Sequence, residues 1–334
     1  MSDQIKSYPF ETLEAVAGHL QGIEKKYTLL FAHNATGKTR LSRVFKDCSK
    51  KAGDADTLYF NAFTEDLFNW DNDLDNDIEP KLILNTHSKF FEILNKETQG
   101  FDIESRIREN LNVYADFEFE IVEEGEKDKD KDKETRTVVN FWQKDDEEKN
   151  LIKISRGEEN IFIWCFFLVI MELAMDTSID EYNWVEYIYI DDPISSLDEN
   201  NAICMCHYLA QFLKKDNLRE MKIIISTHHN LVFNVLSNEL KRAEKYFFSK
   251  TDDGYELKDT TDTPSFYHVA MLIKLDKAVK SQKLYTYHFN IMRSILEKTA
   301  GFLGHNNFRN CIDDSEQKFK KRLIQILNHG KYSL

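Results

Sequence analysis

Residues 27–39 constrain the fold more than any other part of this sequence of 334 residues. An apolar run from Tyr27 to Phe31 has the continuous hydrophobic character of a buried parallel strand. The next residues, AHNATGKT, keep the spacing of a phosphate-binding loop, although Ala32 stands in place of the first glycine. Such a loop joins a strand to a helix whose N-terminal N–H groups bind phosphate. The segment therefore predicts the first strand, loop and helix of an α/β nucleotide-binding domain.

The phosphate loop supplies most of the predicted nucleotide ligands. Lys38 is expected to reach the β- and γ-phosphates, and Thr39 is expected to bind Mg²⁺. An ordinary strand-to-helix turn is the alternative explanation for a loop this degenerate. The predicted nucleotide-binding residues of the loop are Asn34, Ala35, Thr36, Gly37, Lys38 and Thr39.

Two carboxylates and a histidine follow later apolar runs that have the character of buried strands. Asp191 comes after residues 187–190 and is predicted to hold Mg²⁺, whereas Asp192 takes the place usually occupied by a catalytic glutamate. His228 follows residues 222–226 and is predicted to sense the γ-phosphate. Because Asp192 is one methylene shorter than glutamate, its carboxylate reaches the attacking water less well, and we expect slow hydrolysis.

Two more motifs complete an ABC-type ATPase set. SRGE at 155–158 opens a largely apolar helix and has the form of the signature motif, and SSLD at 195–198 has the form of the D-loop. We predict that Ser155, Gly157 and Asp198 contact the nucleotide of a second subunit. Since one chain holds one set, the working unit is expected to be a head-to-tail homodimer or a higher homo-oligomer. Either Asn61 or Glu65 is expected to serve as the glutamine loop, and the motifs do not choose between them.

The formal charge of −14 is unevenly distributed along the chain. Residues 1–240 contain 27 basic and 47 acidic side chains, whereas residues 241–334 contain 17 basic and 11 acidic side chains. The C-terminal part, at +6, is therefore suited to a polyanion that the acidic N-terminal part repels.

The sequence also excludes two kinds of ABC protein. The longest strongly apolar run, residues 161–171, is shorter than the ~20 residues that cross a bilayer, and no signal segment opens the chain. We therefore expect a cytoplasmic protein without membrane partners, which is unlike a transporter. Residues 39–155 lack sustained heptads, which excludes the coiled-coil arms of chromosome-maintenance ATPases.

The patterns predict an α/β fold in which an ABC-type P-loop head is followed by a smaller, mainly helical domain. The head is assigned to residues 1–260, and the second domain to residues 261–334. Within the head, residues 123–149 contain the near-repeat KDKDKDK and are predicted to form a solvated hairpin tip or a flexible loop.

One helix of the second domain carries a candidate ribonuclease site. In residues 285–304, Arg293 and Glu297 lie side by side at i and i+4, and the small residues Ala300 and Gly304 are expected to leave room for a ligand. RNA carries its own nucleophile, so that a base, an acid and a cation suffice to cut it. Glu297, His329 and Arg293 supply these types, and His288 and His305 are the competing histidines.

The sequence resembles the PrrC-type anticodon nucleases over nearly its whole length. This family joins an ABC ATPase domain to a C-terminal nuclease domain. The resemblance rests on NATGKTRLSR at 34–43, NAFTEDLFNWDND at 61–73, SRGEEN at 155–160, IDDPISSLD at 190–198 and LEKTAGFLG at 296–304.

The resemblance implies cleavage of a tRNA anticodon loop in antiphage defence, typically that of lysine tRNA, which leaves a 2′,3′-cyclic phosphate and a 5′-hydroxyl. Arg293, Glu297 and His329 match the family's catalytic residues, and Asp262 lies in the segment that matches its anticodon-reading region. The implied cofactors are ATP or GTP with Mg²⁺, and dTTP as a stabiliser.

The family also implies a silencing partner, a type I restriction–modification complex. Its pattern leads us to expect some further residues after Leu334, and thus a nuclease domain shortened at its C-terminus. Two other functions fit the same motifs. One is a nucleotide-switched regulatory or DNA-associated ATPase without nuclease activity, and the other is a nuclease for a different RNA.

Overall fold

A computed structural model gives the fold of the chain. It forms two compact units, Met1–Asp262 and Thr263–Leu334. The first unit is an α/β domain with two sheets, and the second contains helices. The structure describes residues 6–50, 56–61, 68–71, 81–84, 102–112, 114–125, 135–193, 199–216, 218–261 and 266–312.

Eleven strands and eight α-helices lie within the described residues, together with two 3-10 helices, Asp180–Tyr182 and Phe308–Cys311. The strands are β1 (Ser7–Phe10), β2 (Tyr27–Ala32), β3 (Thr57–Asn61), β4 (Phe68–Asp71), β5 (Lys81–Leu84), β6 (Phe117–Gly125), β7 (Thr135–Gln143), β8 (Tyr187–Asp191), β9 (Lys222–Thr227), β10 (Glu244–Thr251) and β11 (Gly254–Asp259). The helices are α1 (Leu13–Gln21), α2 (Lys38–Lys50), α3 (Ile103–Leu111), α4 (Arg156–Met175), α5 (Glu199–Leu213), α6 (Asn230–Glu239), α7 (Phe266–Ser281) and α8 (Thr286–Phe302).

The larger sheet has seven strands in the order β1-β11-β10-β2-β9-β8-β3. The five strands from β10 to β3 run parallel, and β11 and β1 extend the sheet in antiparallel fashion. The predicted strands at 27–31, 187–190 and 222–226 are confirmed, and they are adjacent. Their apolar residues are buried, as expected for parallel strands that are covered on both faces. The mixed α/β architecture with a parallel-rich sheet fits a P-loop ATPase head.

The second sheet of the first unit is antiparallel, in the order β4-β5-β7-β6. It bears on residues 123–149, for which a solvated hairpin tip or a flexible loop was expected: a hairpin is present, and its second strand extends well into this range. Strands β6 and β7 form a hairpin whose register runs from Phe117 opposite Gln143 to Gly125 opposite Thr135, and residues 126–134 lie outside the described residues. Val138, Val139 and Phe141 are buried, so the apolar residues of β7 override the charged composition around them.

Helix α4 packs between the two sheets, which explains why it is apolar on nearly every side. Phe60 of the larger sheet lies 4.4 Å from Phe167 between ring centroids. On the other side, Phe162 lies 5.0 Å from Phe119 and 5.1 Å from Phe141 of the antiparallel sheet. A helix in contact with a sheet on both sides has no solvated face, so its hydrophobicity shows no single stripe.

The second unit contains α7 and α8. The predicted helix over residues 285–304 is confirmed as α8. Its Phe289, Met292 and Leu296 pack around the buried Ala300 and Phe308, together with Cys311 and Ile312. Leu303 follows the last residue of α8 and is 57% exposed.

None of the helices in the described part of the chain combines the length and the apolar character that a bilayer crossing requires.

We predict that Phe162→Ala lowers the free energy of unfolding by about 3–5 kcal/mol, because it opens a cavity between α4 and the antiparallel sheet. Urea denaturation followed by tryptophan fluorescence measures this change. The matched control is Phe302→Ala at a ring that is 91% exposed, which is expected to change stability by less than about 0.5 kcal/mol. Equal effects of the two substitutions would contradict the packing described here.

Candidate functional site

The phosphate loop lies between β2 and α2 and contains two residues with left-handed backbone. Gly37 has φ of 97°, which glycine adopts without strain, and Ala35 has φ of 64°, which costs an L-residue about 1–2 kcal/mol. Thr36 closes the turn, because its hydroxyl donates to the carbonyl of His33 at 2.7 Å. The loop therefore has left-handed backbone at Ala35 as well as at Gly37.

Lys38, the first residue of α2, is buried and paired with two carboxylates. Its Nζ donates to Asp191 Oδ1 at 2.8 Å and also to Asp192 Oδ2. The three residues are 6%, 0% and 5% exposed, so one buried cation faces two buried anions. Parallel pairing places Asp191 of β8 opposite Ser226 of β9, which brings both carboxylates to the end of the sheet where the loop lies.

Hydroxyl groups that sequence reasoning missed hold Asp191 in place. Ser226 Oγ donates to Asp191 Oδ1 at 2.6 Å, and Ser42 Oγ donates to Asp191 Oδ2 at 3.3 Å. Ser42 lies one helical turn after Lys38, a spacing that could have identified it. Its hydroxyl also bonds that of Tyr59 at 2.9 Å, which in turn accepts a hydrogen bond from Asn61 at 3.1 Å.

These contacts bear on the two residues proposed for the glutamine loop. Asn61 ends β3 and is aligned with Asp191 of β8, so that the amide joins the hydrogen-bond network of that carboxylate. Glu65 lies outside the described residues. Asn61 is therefore connected to Asp191 by hydrogen bonds through Tyr59 and Ser42.

Asp192 is strained and tightly held. Its backbone is left-handed, with φ of 50°, and its N–H donates to the carbonyl of Ser226 at 2.8 Å. His228 contacts its Oδ1 through the backbone N–H at 3.0 Å and through ring Nδ1 at 2.9 Å. Burial acts to raise the pKa of Asp192, but the hydrogen bonds from His228 and the charge of Lys38 outweigh it and lower the pKa to about 2.

The donors around the loop fit a nucleotide with Mg²⁺. Carboxylate and hydroxyl oxygens are the ligands that Mg²⁺ prefers, and Lys38 neutralises only one of the two buried charges. Thr39, half-buried in the first turn of α2, is the predicted metal ligand of the loop, while Asn34 and Ala35 are exposed. The site therefore offers N–H donors at a helix N-terminus, an ammonium group and an excess of carboxylate oxygen.

The predicted signature residues lie at the start of α4. Ser155 is the N-cap: its Oγ accepts from the N–H of Glu158 at 3.4 Å, and the Glu158 carboxylate accepts from the N–H of Ser155 at 2.7 Å. Ser155 is exposed and Gly157 half-buried. Their described hydrogen bonds stay within the first turn of α4 and do not involve Lys38, Asp191 or Asp192. Asp198 lies outside the described residues.

In the second unit, Arg293 and Glu297 form the predicted pair. Arg293 Nε donates to Glu297 Oε1 at 2.7 Å, and the guanidinium lies 5.6 Å from the centre of the Phe308 ring. The expected open space beside the pair is absent at Ala300, which is 2% exposed because it packs against Phe308. The residue spacing within α8 could not show this contact, because Phe308 lies after the end of the helix.

The histidines of this unit differ in their surroundings. His288 is buried, and its Nδ1 accepts the backbone N–H of Tyr285 at 3.0 Å, so it serves as part of the helix start. His305 is exposed just after α8. His329 and the predicted recognition residue Asp262 lie outside the described residues.

Comparison with known proteins agrees with this architecture. The model of the family described as "AAA domain" matches residues 86–333. Together with the parallel sheet and the phosphate loop, this match makes the chain a P-loop ATPase of a class that binds nucleotide with Mg²⁺. A protein of Escherichia coli described as "Anticodon nuclease" is 31% identical over 338 aligned residues, which cover 92% of this chain and 83% of the relative. The chain belongs to the PrrC-type anticodon nuclease family.

A more distant relative comes from Staphylococcus aureus strain MRSA252 and is described as "Uncharacterized chromosomal cassette SCCmec type IVc protein CR006". It is 26% identical over 214 residues, which cover 59% of this chain but 30% of that protein. The similarity to the Escherichia coli protein therefore extends much further along both chains.

We predict that Ala35→Gly stabilises the protein by about 0.5–1 kcal/mol, because glycine adopts the left-handed backbone of the phosphate loop without strain. The same substitution at exposed Ala15 of α1 is expected to destabilise it by a similar amount, since helical backbone favours alanine. Thermal unfolding of the two variants measures the difference. Changes of equal sign would contradict the backbone geometry of the loop.

The stability of the protein should depend on pH through Asp192. Its folded pKa of about 2 lies below its ordinary value of 3.8, so ionised Asp192 stabilises the fold above pH 3.8. This contribution, about 2 kcal/mol, is lost as the pH falls from about 4 to about 2. Urea denaturation at several pH values measures the free energy of unfolding. Over this interval it is expected to fall less steeply with decreasing pH in Asp192→Asn than in the unaltered chain. Asp252→Asn, at an exposed turn, is expected to show the same pH dependence as the unaltered chain.

Proposed function

We propose that this chain is a nucleotide-gated, metal-independent endoribonuclease that cuts the anticodon loop of a tRNA, in the first instance lysine tRNA, in antiphage defence. The observation that carries the proposal is the similarity to the Escherichia coli anticodon nuclease over 92% of the chain, which necessarily includes residues of both units. A shared ATPase domain alone would produce similarity within the first unit only.

The nuclease chemistry is assigned to Arg293, Glu297 and His329. Glu297 takes the proton of the ribose 2′-hydroxyl, and O2′ then attacks the adjacent phosphorus. As the bond from phosphorus to O5′ breaks, His329 protonates O5′, so that the products are a 2′,3′-cyclic phosphate and a 5′-hydroxyl. Arg293 offsets the negative charge that builds up on the phosphorus oxygens. Its 2.7 Å bond to Glu297 holds the base and the cation next to each other.

Recognition of the anticodon is assigned to the segment that contains Asp262. A carboxylate accepts hydrogen bonds from the exocyclic amino groups or from a modified side chain of an unpaired base. Asp262 ends the first compact unit, directly before the helical unit that contains Arg293 and Glu297.

The head is proposed to bind ATP or GTP with Mg²⁺, and dTTP as a stabilising nucleotide. Residues 34–39 bind the phosphates, Thr39 and Asp191 hold the metal, and Asp192 and His228 act in hydrolysis. The bound nucleotide supplies the γ-phosphate that is hydrolysed. The direct pairing of Lys38 with both carboxylates supports gating, because a bound phosphate would share the Lys38 ammonium with Asp191 and Asp192 and so change the balance of charge at these residues.

The head is further proposed to work as a head-to-tail homodimer or a higher homo-oligomer. Ser155 is exposed at the N-terminus of α4, where it and Gly157 can reach the nucleotide of a second subunit together with Asp198. A type I restriction–modification complex is the proposed silencing partner, and release from it would free the nuclease.

We predict that the purified chain, incubated with total tRNA, ATP or GTP and Mg²⁺, cuts one tRNA in its anticodon loop, and that His329→Ala abolishes the cut. The matched control is His305→Ala, which removes an exposed histidine and is expected to leave cutting unchanged. Mapping the fragment ends identifies the tRNA and shows whether the 3′ end carries a cyclic phosphate.

Two outcomes would contradict this assignment. Unchanged cutting by His329→Ala would remove His329 from the catalytic residues. Nucleotide hydrolysis by the unaltered chain with every tRNA left intact would indicate a regulatory ATPase without nuclease activity.

A further inference from the structure

The end of α7, the start of α8 and the loop between them line an open pocket of about 560 Å³ in the second unit. This volume lies within the range of roughly 300–1,000 Å³ that small-molecule and cofactor sites occupy. The pocket is separate from the Arg293–Glu297 pair, neither of which lines it. Its lining residues are Ala278, Lys280, Ser281, Lys283, Tyr285, Tyr287 and His288.

The three aromatic side chains Tyr285, Tyr287 and His288 form one wall of this pocket. The rings of Tyr285 and Tyr287 are nearly parallel, at 10° with centroids 6.0 Å apart. The ring of Tyr287 lies 3.9 Å from that of His288. His288 is buried and fixed by its bond to the N–H of Tyr285, whereas Tyr285 and Tyr287 are 57% and 44% exposed. A rigid base therefore supports two solvent-facing rings.

Among the described residues, all the large apolar side chains that are exposed lie in this unit. The side chains concerned are Leu272, Val279, Leu284, Tyr285, Tyr287, Phe302 and Leu303. Exposed aromatic rings are costly to leave in water, and a cluster of them indicates a binding surface.

The net charge of the second unit favours a negatively charged ligand. The second unit contains 12 Lys and Arg against 5 Asp and Glu, a balance of +7, whereas the first unit contains 32 against 53, a balance of −21. Lys280 and Lys283 line the aromatic pocket itself, and both are exposed. Aromatic rings combined with basic side chains are the means by which proteins bind unpaired bases and their phosphates.

We infer that the α7–α8 pocket binds an unpaired nucleobase of an RNA loop by stacking on Tyr287, while Lys283 contacts the phosphate beside it. This inference rests on the proposed function, which supplies a single-stranded loop as the substrate. The pocket adds a second point of contact outside the proposed catalytic residues, and so it would hold the loop in register rather than cut it. Stacking tolerates any base, so this contact contributes affinity more than sequence choice.

The test measures binding of an anticodon stem-loop RNA that carries a fluorescent base analogue in its loop. The full chain with Glu297→Gln is used so that the RNA stays intact. Adding Tyr287→Leu is expected to weaken binding roughly five- to one-hundred-fold and to remove the quenching of the stacked base, whereas Tyr287→Phe keeps both. Phe302→Leu, at an exposed ring outside the pocket, is the matched control and is expected to bind as tightly as the parent.

A second variant tests the phosphate contact without altering the rings. Lys283→Gln is expected to reduce the dependence of log affinity on log salt concentration by roughly 0.7, as one lost contact to a single-stranded phosphate does. Because Lys283 is exposed on the loop, this substitution leaves the helices intact. Circular dichroism of every variant verifies the fold.

The outcomes separate the inference from the function on which it rests. Equal RNA affinity for Tyr287→Leu and Tyr287→Phe would overturn the stacking site. Unchanged RNA affinity together with reduced self-association of Tyr287→Leu would also overturn it, because the surface around Tyr287 would then join two copies of the chain. Cutting of total tRNA by the unaltered chain is measured in parallel. Ring-dependent binding without any cutting would refute the nuclease function and leave the pocket assignment in place.

Discussion

The buried ammonium of Lys38 between Asp191 and Asp192 is the interaction on which the first unit is organised. A buried charge is tolerated only when it is paired, and here one cation lies between two anions. The pairing ties the start of α2 to the end of β8, and Ser226 and His228 tie the same carboxylates to β9. The excess negative charge also explains why this end of the sheet is chemically suited to a metal-bound phosphate.

Helix α4 is the second constraint, and it connects the core to the surface. Its aromatic side chains fill the space between the parallel and the antiparallel sheet, while its first turn ends in the exposed, capped Ser155. Phe162 contacts Phe68, Phe119 and Phe141 and so belongs to the core of the antiparallel sheet. A residue proposed to reach a second subunit is thus fixed in position by a helix that is buried over most of its length.

The division of charge separates the two units functionally. An acidic unit repels a polyanion and a basic unit attracts one, so the charge balance favours the second unit, which contains Arg293 and the aromatic pocket, as the place where the proposed RNA substrate binds. Phe308 covers Ala300 and lies under the Arg293 guanidinium, which restricts the freedom of that side chain. The proposed catalytic pair therefore belongs to a packed helix rather than to a mobile loop.

The sequence by itself determined the elements whose pattern is local: the apolar runs of β2, β8 and β9, the phosphate loop, the start of α4 at Ser155 and the course of α8. It also identified Lys38, Asp191, Asp192 and His228, because each follows a strand or opens a helix. Tertiary structure decided what depends on distant neighbours. Strand order aligned Asn61 with Asp191, and the antiparallel sheet formed β7 within a charged segment that was expected to be a solvated hairpin tip or a flexible loop. The left-handed backbone of Asp192 and the covering of Ala300 by Phe308 belong to the same group, because local residue pattern carries no information on which remote groups will fill a space or accept a hydrogen bond.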